Sequence, residues 1–411
     1  MSKLEELIKE LCPNGVEFKF LGEITDFRNG KGHEKNISED GDFIVINSKF
    51  ISTEGAVYKH SEMQIVPLYK DEIVMVMSDL PNGKALAKCY LIESDSKYTL
   101  NQRIGGFKVH ETVVFPKFLF YVLNRNYQLL KYDNGVDQTN LRKDDILKIK
   151  IPVPPMEVQC EIVRILDNFT ELTAELTAEL TARKKQYEYY KQLCFDNIQN
   201  APIKHITDIA LVKARVGWQR LTRAEYLNTG DYYLITGTDF NMAGGINFKT
   251  CVFVTKDRYD MDTNIQVHKN DILITKDGTL GKVAILKEEP NKLTTLNSGV
   301  FRIHIFDNDV LPQYLYHFFT SKYFTDFVES VKTGSTVPHL TQQGLVSLDI
   351  PIPSLEEQAR IVSILDRFDK LCNDISVGLP AEIEARKKQY EYYRDKLLTF
   401  EPIQSTEKEF A

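Results

Sequence analysis

The 411-residue sequence is 43% hydrophobic and carries a formal net charge of −7 at pH 7. This length predicts two to four domains with folded cores. No apolar run is long enough to span a bilayer, and the N-terminus lacks a signal-peptide core, so we expect a cytoplasmic protein without membrane association. The six cysteines are scattered without a CxxC pair, which favours buried thiols over a zinc site.

The first 150 residues are predicted to form a short N-terminal segment followed by a mixed α/β domain. Residues 1–21 begin with leucines and an isoleucine at helical spacing, and residues 18–24 alternate as in a strand. The domain itself is assigned to residues 22–150. Within it, β-branched runs at 43–47 and 71–77 predict strands, and the proline-initiated apolar segment 116–130 predicts a helix.

Residues 151–202 predict one long helix behind a proline-rich stop. Pro152, Pro154 and Pro155 oppose helix before them, and neither proline nor glycine follows Met156 until Pro202. Apolar residues then recur at threes and fours along one stripe. A helix of roughly 40 residues is about 60 Å long, which is more than one globular domain needs, so we expect a partner helix.

The same pattern returns in residues 351–411, which are predicted to supply that partner. Gln159 and Asp167 align with Gln358 and Asp366 at an offset of 199, and the RKKQYEYY segment at 183–190 returns at 386–393. The chain is therefore a tandem repeat with a period of about 200 residues. We predict that the two helical segments pair antiparallel, the alternative being two helices in separate bundles.

Residues 203–350 repeat the plan of the first domain with different loops. The segment 270–278, the TLN tripeptide at 295–297 and the helix beginning at Pro312 all have counterparts at offsets of 196 to 200. Two domains with the same order of elements but different loop sequences suggest one scaffold that reads two different targets. Ordinary sequence divergence after a gene duplication would give the same pattern. Residues 22–150 carry 18 basic and 18 acidic residues and residues 203–350 carry 16 of each, so neither domain's net charge decides whether it binds nucleic acid.

The helical segments carry two further motifs. TAEL occurs at 173–176 and again at 177–180, which predicts a spacer rod that lengthens by about 6 Å for each added copy. The RKK runs could touch phosphates, but a solvated or partner-binding face is the favoured interpretation. The apolar side chains predicted to line the spacer seam are Leu172, Leu176, Leu180, Ile361, Leu365 and Phe368.

No catalytic constellation is present in the sequence. GxSxG and HExxH are absent, and Val153-Pro154-Pro155-Met156 lacks both the Asp or Asn and the aromatic residue of the amino-methyltransferase loop. The segment 276–282 resembles a phosphate loop but lacks the GxxxxGK[ST] spacing, so we reject nucleotide hydrolysis and leave open a phosphate-contacting turn or a plain hairpin. The sequence favours a non-enzyme.

If the two domains bind DNA, the candidate reading residues are polar side chains in turns, because these make bidentate contacts to base edges. For any single residue, an ordinary surface role is the simpler interpretation. The candidates are Lys31, Asn47, Asn82, Lys84, Gln102, Arg103, Gln138, Asn140 and Arg142 in the first domain, and Arg215, Trp218, Gln219, Arg220, Thr238, Asn241, Lys276, Thr279, Asn297, Thr336 and His339 in the second.

Together these features resemble the specificity subunit of type I restriction–modification systems. The resemblance is carried by the two IP-x-P…Q…ILDxF blocks, the two RKKQYEYY ends, the Gly-to-Leu anchors at 135–141 and 334–340, and the TAEL repeat, which is similar to the IC-type branch. It implies an α+β protein in which two mixed α/β target recognition domains are joined by two long antiparallel helices that form a coiled-coil spacer.

The resemblance also implies partners and cofactors. Each domain would read one half of a split, asymmetric site in double-stranded DNA, and the helices would set a spacer of about six base pairs and bind two modification subunits. Those subunits would hold S-adenosylmethionine and methylate adenine at N6, while restriction subunits would use ATP and Mg²⁺. This chain would hold no cofactor or metal, since base flipping places the catalytic pocket in the partner.

Two other functions remain open from the residues alone. One is a stand-alone sequence-specific DNA-binding protein, although its long acidic helices would leave apolar stripes without partners. The other is a coiled-coil adaptor that binds no DNA, which the neutral domains permit. A steep salt dependence of DNA binding would argue against the adaptor, because phosphate contacts release counterions.

Overall fold

The computed structural model describes residues 3–81, 83–198, 200–241, 243–334, 338–374 and 377–403. The chain divides into two compact units. Unit 1 comprises Met1–Thr173 and Arg386–Ala411, and unit 2 comprises Ala174–Ala385.

The elements up to residue 153 alternate short helices with short strands. In chain order they are α1 (Lys3–Leu11), β1 (Glu17–Phe20), α2 (Leu21–Ile24), β2 (Thr25–Asn29), β3 (Phe43–Ile46), α3 (Ser48–Ser52), β4 (His60–Ser61), β5 (Ile73–Val76), β6 (Ser78–Asp79), β7 (Cys89–Leu91), β8 (Tyr98–Leu100), β9 (Ile104–Val109), α4 (Pro116–Leu123), α5 (Tyr127–Leu130), β10 (Thr139–Asn140), α6 (Lys143–Leu147) and β11 (Lys150–Val153).

The remaining elements begin with the longest helix of the chain. They are α7 (Met156–Asp196), β12 (Ile203–His205), α8 (Ile206–Ile209), β13 (Ala210–Ala214), β14 (Tyr232–Ile235), β15 (Val252–Val254), α9 (Lys256–Asp260), β16 (Ile272–Thr275), β17 (Val283–Ile285), β18 (Leu293–Leu296), β19 (Val300–Ile305), α10 (Pro312–Phe319), α11 (Lys322–Val331), α12 (Gln342–Val346), β20 (Asp349–Pro351), α13 (Leu355–Asn373) and α14 (Leu379–Leu397).

The two units share one sheet topology, which confirms the predicted internal repeat. Unit 1 contains an antiparallel sheet of order β2-β9-β5-β7 and a sheet of order β4-β3-β8, and unit 2 contains β13-β19-β16-β17 and β15-β14-β18. In both units the second sheet includes one parallel pair, β3 with β8 and β14 with β18. The predicted α+β class with mixed domains is therefore correct.

The strand β5 explains how two cores share one sheet. Its four residues are all buried, and their side chains alternate between faces. Ile73 and Met75 join the core that includes α4 and the first turns of α7, whereas Val74 and Val76 join a second core with β3 and β8. Such continuous burial requires the unbroken apolar run on which the strand prediction rested.

The predicted helix at 116–130 is wrong in its middle, where the structure has two helices. Its α4 ends at Leu123, and Arg125 adopts a positive φ of 59°. The interruption is held by strand β7, because the Asn124 side chain accepts the Cys89 N–H at 3.0 Å and the Arg125 N–H donates to Ala87 at 2.9 Å. These long-range bonds override local helix propensity. The strand predicted over 18–24 is also shorter, since β1 gives way to the single turn α2 at Leu21.

The second long helix is likewise two helices, α13 and α14. Pro380 lies in the first turn of α14, where its missing N–H costs nothing. Gly378 lies just before α14, and a Cβ there would come within 2.6 Å of the Lys370 carbonyl oxygen and 2.7 Å of that of Asp374. The helix is therefore interrupted between α13 and α14, where the second repeat is four residues longer than the first, whereas α7 is continuous.

Aromatic stacking pairs these helices within each unit, as the predicted antiparallel arrangement requires. In unit 1 Phe169 stacks on Tyr393, with ring centroids 5.4 Å apart. In unit 2 Tyr187 and Tyr190 stack on Phe368, at 5.9 and 5.5 Å. Every one of these rings belongs to the repeated motifs identified in the sequence.

A carboxylate on α7 gives unit 1 a testable dependence on pH. The Glu161 side chain is 4% exposed and accepts Arg164 at 2.6 and 3.0 Å and Lys3 at 3.1 Å. These hydrogen bonds, those from Arg164 above all, lower its pKa to about 2. A lowered pKa stabilises the fold above the unfolded value of about 4.3 and stops doing so as pH falls toward 2.

We therefore expect Glu161→Gln to flatten the pH dependence of stability between about pH 4.3 and pH 2. Urea midpoints across that window would measure it. Glu10→Gln, on an exposed residue of α1, is the matched control and should leave the wild-type slope. Equal slopes for wild type and Glu161→Gln would contradict the assignment.

Candidate nucleic-acid interface

Several candidate residues of unit 1 meet along one edge because they follow neighbouring strands. Asn47 follows β3, and Asn101 follows the parallel β8. The Asn101 N–H donates to the Ile46 carbonyl at 3.1 Å, and Lys31 bridges to Asn101 from beyond β2. Backbone bonds between strand ends therefore hold the two loops and the Lys31 segment together.

The same edge continues past the end of β5. The Met77 N–H donates to the Arg103 carbonyl at 3.0 Å, which joins the β8–β9 turn to β6. Strand β6 pairs with β10, and Gln138 Nε2 donates to Ser78 Oγ at 2.7 Å. We call the loops at 47, 77–86, 101–103 and 133–142, together with Lys31, the unit 1 edge.

Unit 2 builds the equivalent edge from the loops at 236–241, 276–282, 297–299 and 339, which we call the unit 2 edge. The Asn297 N–H donates to Ile235 at 2.9 Å, as Asn101 does to Ile46 in unit 1. The Lys276 N–H donates to Gly299 at 2.9 Å. His339 Nδ1 lies 2.7 Å from Asp277 Oδ1, at the place of the Asn140–Ser78 pair.

The Asn297 side chain is held at both ends of its amide within the unit 2 edge. Its Nδ2 donates to the Tyr226 hydroxyl at 2.5 Å, and its Oδ1 accepts the Gly299 N–H at 2.9 Å. Both ends of the amide are therefore engaged in fixing the loop. A ligand would meet a preformed turn whose remaining hydrogen-bonding capacity is set by these contacts.

Two candidates of unit 2 do not lie on the surface. Arg215 is 2% exposed; its Nε donates to the Leu296 carbonyl at 2.9 Å and its Nη2 to Thr295 Oγ1 at 3.1 Å. Burial lowers the pKa of this guanidinium. Gln219 is also buried. Neither can reach a base edge in this conformation, and Arg215 instead braces the turn that carries Asn297.

The other candidates divide into side chains that brace a loop and side chains that are exposed, some of which also have a hydrogen-bond partner, as Gln138 and Gln102 do. Asn47 caps α3 by accepting Phe50 N–H at 2.9 Å, and Asn241 accepts N–H groups of Ala243 and Gly245 at 3.0 Å each. Asn82, Thr336 and the side chain of Trp218 lie outside the described residues. The exposed candidates are Lys31, Lys84, Gln102, Arg103, Gln138, Asn140, Arg142, Arg220, Thr238, Thr279 and His339, while Lys276 is half-buried with its Nζ 5.5 Å from the Phe301 ring.

The structure places three further residues at the two edges that were not among the candidates from the sequence. Tyr226 and Asp277 touch two of the candidates directly, and Asp79 closes a loop of the unit 1 edge by accepting backbone N–H groups at 2.7 and 3.1 Å from Ala85 and Leu86. Tyr226 lies far from Asn297 in sequence, so no local pattern signalled it. Asp79 and Asp277 were identifiable, since each stands just beyond a strand-like run.

Comparison with known proteins decides what the repeated edges belong to. A family model described as the type I restriction modification DNA specificity domain matches residues 13–183 and, a second time, residues 203–385. The chain belongs to this family. As a specificity subunit it is a DNA-recognition component of a type I restriction–modification system and not a catalytic one.

Individual relatives agree with that assignment. The specificity subunit is similar to an inferred type I restriction enzyme specificity subunit of Haemophilus influenzae, with 31% identity over 96% of this chain and 98% of that one. It is 37% identical to the EcoR124I/EcoR124II specificity subunit of Escherichia coli over 62% of this chain and 63% of that one.

Solved structures share the fold. A chain from a structural study of complex assembly and conformational transition of the type I restriction–modification system matches with a TM-score of 0.60 and 16% identity, covering 94% of this chain and 98% of that one. The S subunit from M. genitalium matches with a TM-score of 0.53 and 15% identity over 93% and 96%.

The specificity subunit carries its predicted spacer residues in two environments. Ile361 and Leu365 are fully buried in α13, and Phe368 is half-buried. In α7 the TAEL leucines Leu176 and Leu180 are half-buried and Leu172 is 45% exposed, and the assignment of these leucines to a spacer seam stays a prediction.

Neither a membrane span nor a metal site is found in the part of the chain that the structure describes. No described helix is both long enough and apolar enough to cross a membrane. Among the same residues no three His, Cys, Asp or Glu side chains converge as metal ligands would. The six cysteines are free thiols, and all but Cys160 are buried.

Proposed function

We propose that this specificity subunit reads a bipartite, asymmetric site in double-stranded DNA and directs adenine N6 methylation there. Residues 22–150 would be the target recognition domain for one half-site and residues 203–350 the domain for the other. The exposed residues of the unit 1 and unit 2 edges would contact the bases. The observation that carries the proposal is the repetition of one edge, in the same backbone framework, with different side chains.

The recognition chemistry follows from those side chains. Gln138 and Asn140 in unit 1 carry amides of the kind that pair with adenine N6 and N7, and Arg103 can pair with guanine O6 and N7. In unit 2 the same framework presents His339 and Asp277 in place of Asn140 and Ser78. Substituting the reading groups while retaining the loops would change the sequence read without changing how the domain docks.

The helices would form the spacer and the assembly surface. In the proposal, residues 151–202 and 351–411 set the distance between half-sites and hold two modification subunits and the restriction subunits, with residues 1–21 completing the repeat. Backbone bonds of Val16 to Glu401 and Ile403 support that last role, at 2.8 and 3.1 Å. Two TAEL copies, similar to the IC-type branch, suggest a spacer of about six base pairs.

The chemistry would lie in the partners, in the cytoplasm. Modification subunits would bind S-adenosylmethionine and flip the target adenine, and restriction subunits would use ATP and Mg²⁺ for translocation and cleavage. This chain would contribute binding energy and sequence selection.

Genome-wide mapping of N6-methyladenine tests the proposal. Cells carrying this gene and a cognate modification subunit gene should show one split motif, and deletion of this gene alone should abolish it. Restoring the gene on a plasmid is the control. Methylation that persists unchanged after deletion would refute the proposal, whereas the motif, if found, gives both half-sites and the spacer directly.

A further inference from the structure

Two aliphatic side chains stand far out of the unit 1 edge. Leu80 is 67% exposed and Val136 is 74% exposed, which places them among the most exposed large hydrophobic residues described in the chain. Leu80 directly follows β6, and Val136 lies three residues before its partner β10. The two side chains therefore extend from the same two-stranded ribbon.

Both loops are held in place by side-chain hydrogen bonds. The Asp79 carboxylate accepts N–H groups from Leu80, Ala85 and Leu86 at 2.9, 2.7 and 3.1 Å, which closes the loop behind Leu80. Asn134 Oδ1 accepts the N–H groups of Val136 and Asp137 at 2.9 and 3.1 Å. Exposing an aliphatic group is unfavourable, so two braced loops that keep such groups in solvent indicate a binding surface.

The surroundings of the pair favour DNA over an apolar protein surface. Gln138 lies next to Leu80 across the ribbon and bonds Ser78. Lys84 belongs to the Leu80 loop, and Arg103 is joined to Met77 just before β6. Asp137 is the acidic group exposed beside Val136. Residues that carry hydrogen-bond donors thus lie on the same or neighbouring loops as Leu80 and Val136, which together we call the aliphatic patch, as expected of a major-groove reader.

In sequence, unit 2 has a hydroxyl residue at each of the two corresponding positions. The Leu141 N–H donates to Met77 at 2.7 Å and the Leu340 N–H to Lys276 at 3.0 Å, which fixes the correspondence at an offset of 199. By that correspondence Leu80 matches Thr279, and Val136 matches Ser335 in the sequence. The aliphatic patch is therefore a property of the first recognition domain and not of the shared framework.

We propose that Leu80, with Val136 on the other strand's loop of the same ribbon, contacts the 5-methyl group of a thymine in the half-site read by unit 1. This inference rests on the proposed function. The thymine methyl is the apolar feature of the base edges in the major groove, and aliphatic side chains read it by contact. A half-site that contains a target adenine necessarily contains a thymine opposite it, so such a methyl group is always available.

Deoxyuridine substitution tests the contact, because it removes the methyl group and preserves base pairing. The full complex of this chain with its modification subunit would be titrated with duplexes of the mapped motif in which each thymine is replaced in turn. We expect one position in one half-site to weaken binding about fourfold for the wild type, the value of one buried methyl group. Leu80→Thr, the residue of unit 2, should bind the unmodified site about fourfold more weakly and show a smaller deoxyuridine effect, because its one methyl group contacts less of the thymine than leucine does.

Met63→Thr is the matched control, since Met63 is 57% exposed in unit 1 but lies outside the edge. It should keep both the wild-type affinity and the deoxyuridine effect. Val136→Ser should reduce the effect at the same thymine.

A flat deoxyuridine scan for the wild type, or an unchanged effect in Leu80→Thr, would overturn the proposal. Loss of modification-subunit binding in Leu80→Thr with a flat scan would also overturn it and assign the patch to a protein partner. If the wild-type complex binds no split site at all, the proposed function itself fails, which is a separate result.

Discussion

Replacing Asp271 with alanine is expected to destabilise unit 2 by about 3 to 5 kcal/mol, the cost of leaving a buried charge unpaired. Asp271 is fully buried and Arg302 nearly so. Arg302 Nε donates to Asp271 Oδ2 at 2.6 Å and its Nη2 to Oδ1 at 3.3 Å. The carboxylate also accepts the His268 N–H at 2.7 Å and contacts His304 Nδ1 at 2.8 Å. In Asp271→Ala, the Arg302 side chain, the His268 N–H and the His304 ring therefore all lose the carboxylate that they contact.

Urea unfolding followed by tryptophan fluorescence would measure the effect, because Trp218 is the single tryptophan and belongs to unit 2. The double variant Asp271→Leu with Arg302→Met is the first control. It removes both charges and should recover much of the lost stability, since apolar residues of similar volume can replace a buried ion pair. A recovery would show that the unpaired charge, and not the lost volume, is what destabilises Asp271→Ala.

A second control comes from Glu72 in unit 1, which matches Asp271 at the offset of 199 but takes its arginine partner from β2 and not from β9, the counterpart of β19. Glu72 pairs with Arg28, whose side chain is 31% exposed and can reach water when its partner is removed. Burial raises the pKa of Glu72 against the opposing effects of Tyr69 and Arg28, so its ionised form is incompletely compensated. Glu72→Ala should therefore cost unit 1 clearly less than Asp271→Ala costs unit 2. Equal losses would mean that water reaches Arg302 as readily as Arg28.

The internal repeat could be predicted because it shows in short sequence patterns that occur twice along the chain. Proline residues, helical periodicity and identical motifs predict where α7 begins and that the two helical segments pair, and the stacked rings of Phe169, Tyr187 and Phe368 all lie in those motifs. The break after Leu123 and the split between α13 and α14 were not predicted. Their causes are a strand that binds Asn124 from 35 residues away and a glycine packed against carbonyl groups.

The unit 1 and unit 2 edges were predictable in outline and not in detail. Candidates just beyond strand-like runs, such as Asn47 and Lys276, do lie at one edge of each unit, because strand ends converge there. Arg215 looked like a reader by its chemistry, but its burial depends on packing that no local pattern reveals. Leu80 and Val136 were passed over because an apolar residue in a turn gives no sign of being exposed.

The second large effect is expected at the glutamines that open the two helical segments. Gln358 is fully buried; its Oε1 accepts the Leu311 N–H at 2.9 Å, and its Nε2 donates to Pro353 and Asp309 at 2.8 Å each. Gln159 makes the equivalent bonds to Phe115 and Pro154, both at 2.7 Å. In each unit one side chain therefore ties the start of a long helix to the loop before the proline-initiated helix.

Gln358→Leu should cost about 3 kcal/mol, because it leaves one buried N–H and two carbonyl groups without partners. Gln159→Leu should cost unit 1 a similar amount, and chemical denaturation of each variant would measure both. Gln342→Leu is the matched control, since that exposed residue makes one bond, to the Val212 carbonyl at 3.1 Å, and should change stability by less than about 0.5 kcal/mol.

Gln358→Glu separates hydrogen bonding from volume at the same site. When ionised, its carboxylate would face the Pro353 and Asp309 carbonyl oxygens and be buried, so its folded pKa should rise above the unfolded value. Stability should then be higher below the unfolded pKa of about 4.3 and should fall as pH rises through the folded pKa, the reverse of the Glu161 effect. A variant equally stable at pH 4 and pH 7 would show that the loop moves away from the helix. The hydrogen bonds of Gln358 would then be a consequence of the packing between loop and helix and not its cause.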